Sequence, residues 1–100
     1  MIKLSMVIPC YNEQATLAAI AANVMKLASP TLAIEVLIVD DASTDGSLAV
    51  AEELSARFSG IKVIRHERNR GKGAALRTGF LAATGDFVGV QDADLSLIHI

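Results

Sequence analysis

The sequence predicts an α/β domain built on a mostly parallel sheet. Three observations carry that prediction. Apolar runs of strand length recur along the 100 residues, amphipathic stretches at helical spacing alternate with them, and the connections between them are short. Leu4 to Pro9 is the first strand, closed by Pro9. Asn12 is placed to cap a helix whose apolar face is Leu17, Ile20, Ala21, Val24 and Leu27, and Ser29-Pro30 ends it. Ile34 to Val39 is nearly all apolar, as a strand buried on both faces should be. Asp40 to Gly46 is a loop of turn and cap residues. Leu48, Ala51, Leu54 and Phe58 mark a second helix, stopped by Gly60. Ile61 to Arg65 is a third strand and His66 to Gly73 a polar loop. Leu76, Gly79, Phe80 and Ala83 mark a third helix, ended by Gly85, before a fourth strand at Phe87 to Val90.

The order is therefore βαβαβαβ. Right-handed crossovers between parallel strands put helices on both faces of the sheet. Ligands of such sheets bind beyond the carboxyl ends of the strands. Four segments meet at that edge: Pro9-Cys10-Tyr11-Asn12-Glu13, Asp40-Asp41, His66 to Arg70, and Asp92-Ala93-Asp94.

Composition narrows the class. Hydrophobic residues are 52% and charged residues 20%, which describes a globular chain of one small domain. The net charge of −2 gives no basic field for nucleic acid. A single cysteine, Cys10, excludes an internal disulfide and fits a reducing, cytoplasmic compartment. The first residues lack the features of a signal peptide. The most apolar segment, Leu17 to Leu27, is interrupted by Asn23 and Lys26, so no transmembrane helix is expected.

Two acidic pairs point to chemistry. Asp92 and Asp94 close a buried strand at the ligand edge. Turn chemistry alone accounts for many such pairs. Gathered carboxylates nevertheless repel unless a cation joins them, and hard Mg²⁺ or Mn²⁺ ions bridge carboxylates to phosphate oxygens. Asp92 and Asp94 are thus the expected metal ligands. Of Asp40 and Asp41, one is expected to brace its loop and Asp41 to contact a ligand, while Asp45 caps the second helix.

Other motifs carry less. Gly71-Lys72-Gly73 lacks the third glycine of a dinucleotide fingerprint and follows the wrong strand, and it lacks the Ser/Thr of a Walker A loop. Arg65, Arg68, Arg70, Lys72 and Arg77 make the region locally basic, which more often means a solvated face than an anion site. Cys10 reads as a small buried thiol, and His66 and His99 form no metal pattern with it.

Taken in order, "VIPCYNE" (7–13), "VDDASTDGS" (39–47), "NRGKGAALRTGF" (69–80), "ATGD" (83–86) and "QDADL" (91–95) resemble the family 2 glycosyltransferases. The third and fifth are most similar to the branch that makes polyprenyl-phosphate sugars, the dolichyl-phosphate mannose and glucose synthases. The resemblance implies a GT-A fold, with residues 1–95 as the truncated nucleotide-sugar-binding half. It implies inverting transfer of a hexose from a nucleotide-diphosphate sugar, of GDP-mannose or UDP-glucose type. The acceptor would be a lipid phosphate at the cytoplasmic face of the membrane. By the same resemblance Pro9, Tyr11 and Glu13 line the nucleoside pocket, Val39 and Asp41 contact the base, and Asp92, Ala93 and Asp94 hold ribose, diphosphate and metal.

The ending departs from the family pattern. Ser96-Leu97-Ile98-His99-Ile100 is apolar where the family carries polar residues and a proline. A truncated chain with a foreign tail at residues 96–100 is expected, with the general base beyond residue 100. Three other readings stay open: a family 2 transferase of polysaccharide or glycan synthesis, a non-catalytic nucleotide-binding module, and an NAD-dependent Rossmann domain. The missing glycine fingerprint counts against the last.

Overall fold

The computed structural model describes residues 1–93, together with the backbone of residues 98 and 99. Strands β1 (Ile2–Cys10), β2 (Leu32–Asp40), β3 (Ile61–Arg65) and β4 (Phe87–Gln91) alternate with helices α1 (Gln14–Met25), α2 (Ser47–Arg57) and α3 (Lys72–Ala82), and a two-residue strand β5 (Ile98–His99) follows. The sheet order is β3-β2-β1-β4-β5. The first four strands are parallel, as the alternation predicts, and β5 runs antiparallel to β4. That fifth strand is a correction to the expected four: its two residues pair with Val90 and Gln91, so part of the β4 edge is covered.

The first strand is longer than Leu4 to Pro9. It pairs with β2 without a break from Ile2↔Leu32 to Cys10↔Asp40. Pro9 does not close it, because the ladder to β4 stops at Val7 and the missing N–H costs no bond on that side.

Alternation along β1 and β2 builds the two layers. Leu4, Met6, Ile8 and Cys10 share one face with Ile34, Val36 and Ile38, under Leu17, Ile20, Ala21 and Val24 of α1 and Ala51 and Leu54 of α2. Val7, Leu37 and Val39 face the other way, onto Ala75 of α3. Helix α3 lies so close that a Cβ on Gly79 would come 2.3 Å from a methyl of Val7, so glycine is required by packing there. Leu27 and Phe80, expected in the core, are about half exposed. Leu27 lies beyond the end of α1, and Phe80 is on the outer side of α3, whose buried positions are Ala75 and Gly79.

The cap expectations are redistributed. Asn12 does not cap α1, whose N-cap is Glu13. It adopts a left-handed φ of 54°, and its Oδ1 accepts from the N–H groups of Thr44 (2.8 Å) and Asp45 (3.3 Å). Asp45 accepts from the Ser47 N–H at the start of α2 (2.8 Å) and from the Gln14 N–H at the start of α1 (3.3 Å). One carboxylate thus serves two helix N-termini. Asp45→Ala is expected to lower the unfolding temperature by a few degrees and to leave nucleotide affinity unchanged. Thermal unfolding and calorimetry on the same variant check both halves.

Candidate functional site: the cavity between β1 and β4

The topology decides where a ligand can sit. Helices α1 and α2 lie on one face and α3 on the other, so the chain reverses direction across the sheet between neighbouring strands β1 and β4. A crevice opens at their carboxyl ends. A cavity of about 310 Å³ occupies it. Its walls are Pro9, Cys10, Tyr11 and Glu13 from the end of β1, Asp41 after β2, Asn69, Gly71, Lys72 and Ala75 around the start of α3, and Asp92 and Ala93 after β4.

Six of the residues expected at the site therefore meet: Pro9, Tyr11, Glu13, Asp41, Asp92 and Ala93. Val39 does not line the cavity; its side chain is fully buried against Val7, Leu37 and Ala75. Asp94 and the expected tail at residues 96, 97 and 100 lie outside the described residues.

The acidic pair after β2 divides its work. Asp40 braces its own loop, accepting from the Ser43 hydroxyl (2.6 Å) and N–H (3.3 Å). Asp41 is also tied into the protein. Its Oδ1 accepts from His66 Nδ1 (2.8 Å) and the Arg70 N–H (2.9 Å), and its Oδ2 from the Gly71 N–H (2.9 Å). Burial pushes the Asp41 pKa up, but the His66 bond and the two N–H groups outweigh it and hold it below the usual carboxylate value. The carboxylate stays ionised, with three of about four acceptor positions filled and one left on Oδ2.

Across the cavity the Lys72 ammonium meets Asp92 Oδ1 at 2.5 Å. Lys72 is the first residue of α3, and the N-cap before it, Gly71, has a φ of 94° that favours glycine. The positive end of α3 therefore opens on the cavity together with a lysine. Asp92 is set by its neighbours: the Gln91 amide donates to its carbonyl (2.9 Å), and the Thr16 hydroxyl donates to the carbonyl of Ala93. Burial raises the Cys10 thiol pKa, which keeps it neutral and makes it wall rather than nucleophile.

Asn69, Gly71, Lys72 and Ala75 are not among the residues expected at the site, although an anion near Lys72 and the Gly71–Gly73 N–H groups is one reading of their segment. Their signal was present in the "NRGKGAA" segment, but it was divided between a rejected fingerprint and a basic run. Three others of that run, Arg65, Arg68 and Arg70, line a separate depression with His66 and Glu67. No helix among the described residues is long and apolar enough to cross a membrane.

Comparisons with known proteins agree with this geometry. The model of the family "Glycosyl transferase family 2" matches residues 5–98. The dolichol-phosphate mannosyltransferase of Pyrococcus furiosus is 39% identical over 93 residues, covering 93% of this chain and 26% of that protein. The undecaprenyl-phosphate 4-deoxy-4-formamido-L-arabinose transferase of Sodalis glossinidius is 40% identical over 95 residues, covering 93% and 29%. The solved mannosyltransferase PcManGT from Pyrobaculum calidifontis, in complex with GDP-Man and Mn²⁺, superposes with a TM-score of 0.79 at 29% identity, covering 91% of this chain and 27% of that one. S. aureus TarS in complex with UDP-GlcNAc gives 0.82 at 31% identity, covering 93% and 27%. The chain spans between 23% and 33% of the length of the curated relatives it matches. The parallel α/β sheet is that of the GT-A fold, and the chain belongs to the family 2 glycosyltransferases.

Proposed function

We propose that this chain is the donor-binding part of a glycosyltransferase that moves a hexose from a nucleotide-diphosphate sugar to polyprenyl phosphate with inversion. The observation that carries the reading is the cavity between β1 and β4, whose lining combines Pro9, Tyr11, Ala75 and Ala93 with the Lys72–Asp92 pair. A nucleotide-diphosphate sugar needs both. Pro9 and the 46% exposed ring of Tyr11 offer a surface for the base, and the remaining acceptor position on Asp41 suits a ring N–H. Glu13 and Ala93 also line the cavity and would meet the ribose. Any contribution from Val39 would come through its main chain, since its side chain is in the core.

The cavity carries one cationic side chain, Lys72, paired with Asp92. Lys72 and the N-terminus of α3 attract phosphate oxygens. Asp92 already faces a cation there, and its hard oxygen donors suit Mg²⁺ or Mn²⁺, with Asp94 as its expected partner. Such an ion would neutralise the charge that develops on the departing diphosphate. The general base would lie in the part of the relatives that this chain does not span, and the lipid acceptor would be met at the cytoplasmic face of the membrane.

A second reading has a specific observation behind it. S. aureus TarS, of similar TM-score to the GDP-Man complex, is solved with UDP-GlcNAc, so a UDP-sugar donor is the second reading, with a polysaccharide or glycan as its acceptor. Incubating the intact protein with GDP-mannose or UDP-glucose and Mn²⁺, with polyprenyl phosphate and with a glycan as acceptors, separates the readings. Lipid-linked hexose of inverted anomeric configuration is expected. Transfer only to a glycan supports the second reading, and binding without transfer to any acceptor supports a non-catalytic module.

A further inference from the structure

His66 is not part of the cavity wall, yet it is only 6% exposed and its ring is held on both sides. Nδ1 lies 2.8 Å from Asp41 Oδ1, and Nε2 lies 2.8 Å from the Thr78 hydroxyl. Its own N–H donates to the Asp40 carbonyl (2.9 Å), which fixes the residue at the end of β3. An ionised carboxylate can only accept, so Nδ1 carries a proton and donates it to Asp41. The Thr78 hydroxyl also lies 3.0 Å from the Ala74 carbonyl one turn back, which ties the far side of the ring to α3.

These bonds close a ring through the fold. It runs from Thr78 in α3 to His66 after β3, to Asp41 after β2, to the N–H groups of Arg70 and Gly71, and so back to α3 at Lys72. The Asp41 carboxylate has two sources of donors, the turn before α3 and the imidazole. The turn bonds each oxygen once, Oδ1 from the Arg70 N–H and Oδ2 from the Gly71 N–H, and the imidazole adds a second bond to Oδ1. With Oδ1 shared between His66 and Arg70, rotation breaks a buried bond, and Oδ2 is the oxygen left with an open position.

We propose that His66 is a positioning residue for nucleotide binding: its Nδ1–H bond to Asp41 fixes the orientation of that carboxylate and, through it, the Arg70–Gly71 turn that presents Lys72 to the diphosphate. This rests on the reading of the cavity as a nucleotide site. Its role differs from that of a packing residue, because a particular ring nitrogen matters. An Asn amide can donate from near the position of Nδ1, whereas a Gln amide reaches that of Nε2 and misses Asp41.

The test is calorimetric titration of the intact protein with GDP and with UDP in Mn²⁺, for the wild type, His66→Ala, His66→Gln and His66→Asn. The Kd of the nucleotide that binds the wild type is expected to rise about tenfold in the Ala and Gln variants and to stay within about threefold in the Asn variant. Nitrogen-15 spectra of the wild type should show a proton on Nδ1, and the Arg70 and Gly71 amide signals should move in the Gln variant but little in the Asn variant. Thr78→Val keeps the helix and the side-chain shape, and should raise Kd about threefold, so it carries the test if His66→Ala does not fold. Equal affinities across all variants would overturn the positioning role and leave the nucleotide site standing. A wild type that binds neither nucleotide would overturn both.

Discussion

Acidification from about pH 6 to about pH 2 is expected to remove about 3 kcal/mol of folding stability through Glu35 alone. Glu35 is buried in β2 in the middle of an apolar run, only 3% exposed. It accepts from the Ser5 hydroxyl of β1 (2.7 Å), the Lys62 ammonium of β3 (3.0 Å) and the N–H of Thr84 (3.0 Å), with Lys3 at 3.6 Å. Burial alone would raise its pKa. The bonds from Thr84, Ser5 and Lys62 prevail and lower it from 4.5 to about 2. The folded value is therefore below the unfolded one. The contribution is complete above about pH 4.5 and is lost as pH falls through about 2. Chemical unfolding at steps across that window measures it. Glu35→Gln should be less stable at neutral pH and flatter in acid, and a variant as acid-sensitive as the wild type would assign the loss to other groups.

The position of Glu35 links this stability to the site. Residue 35 pairs with Ser5, five residues before the Cys10↔Asp40 pair at the cavity end, so it lies about 16 Å from the ligand edge. It grips Thr84 in the connection from α3 to β4, while the Lys3 N–H donates to Asp86 (2.8 Å) and the Gly85 N–H to Ser5 (2.8 Å). Those bonds hold β4 beside β1 at one end and thereby set where Asp92 emerges at the other.

Asp92→Asn is expected to weaken binding of the nucleotide-diphosphate sugar on the order of a hundredfold and to abolish its dependence on Mn²⁺. The exchange keeps size and removes charge, so folding should change little. Lys72→Ala should weaken binding too, but the remaining affinity should still respond to metal, because Asp92 is intact. Calorimetry at several Mn²⁺ concentrations distinguishes the two variants. If Asp92→Asn keeps the metal response, Asp92 is not a ligand and its pairing with Lys72 is structural.

Much of this architecture was legible in the sequence. Strands β2 and β3 and the order of helices follow from periodicity, because β2 is buried on both faces and α1 on one. The polar segments fell on one edge because parallel topology allows nothing else. What was not legible depended on partners distant in sequence. Glu35 looked like an interruption of an apolar strand, since Lys62 and Thr84 reach it only after folding. Asn12 carried a cap signature, but the Thr44 and Asp45 N–H groups brought beside it took its side chain. His66 had no motif around it, since its partners lie 25 residues before and 12 after it. Val39 entered the site only through the resemblance, and strand alternation turns its side chain into the core.

The central claim is that the cavity between β1 and β4 binds a nucleotide diphosphate through a divalent ion held at Asp92. It is tested most directly by titrating the intact protein with GDP-mannose and UDP-glucose, first in Mn²⁺ and then in excess chelator. Saturable one-to-one binding of one of them, lost in chelator and restored by Mn²⁺ or Mg²⁺, is the predicted result. Binding of equal strength in chelator, or none of either sugar nucleotide in Mn²⁺, would contradict it.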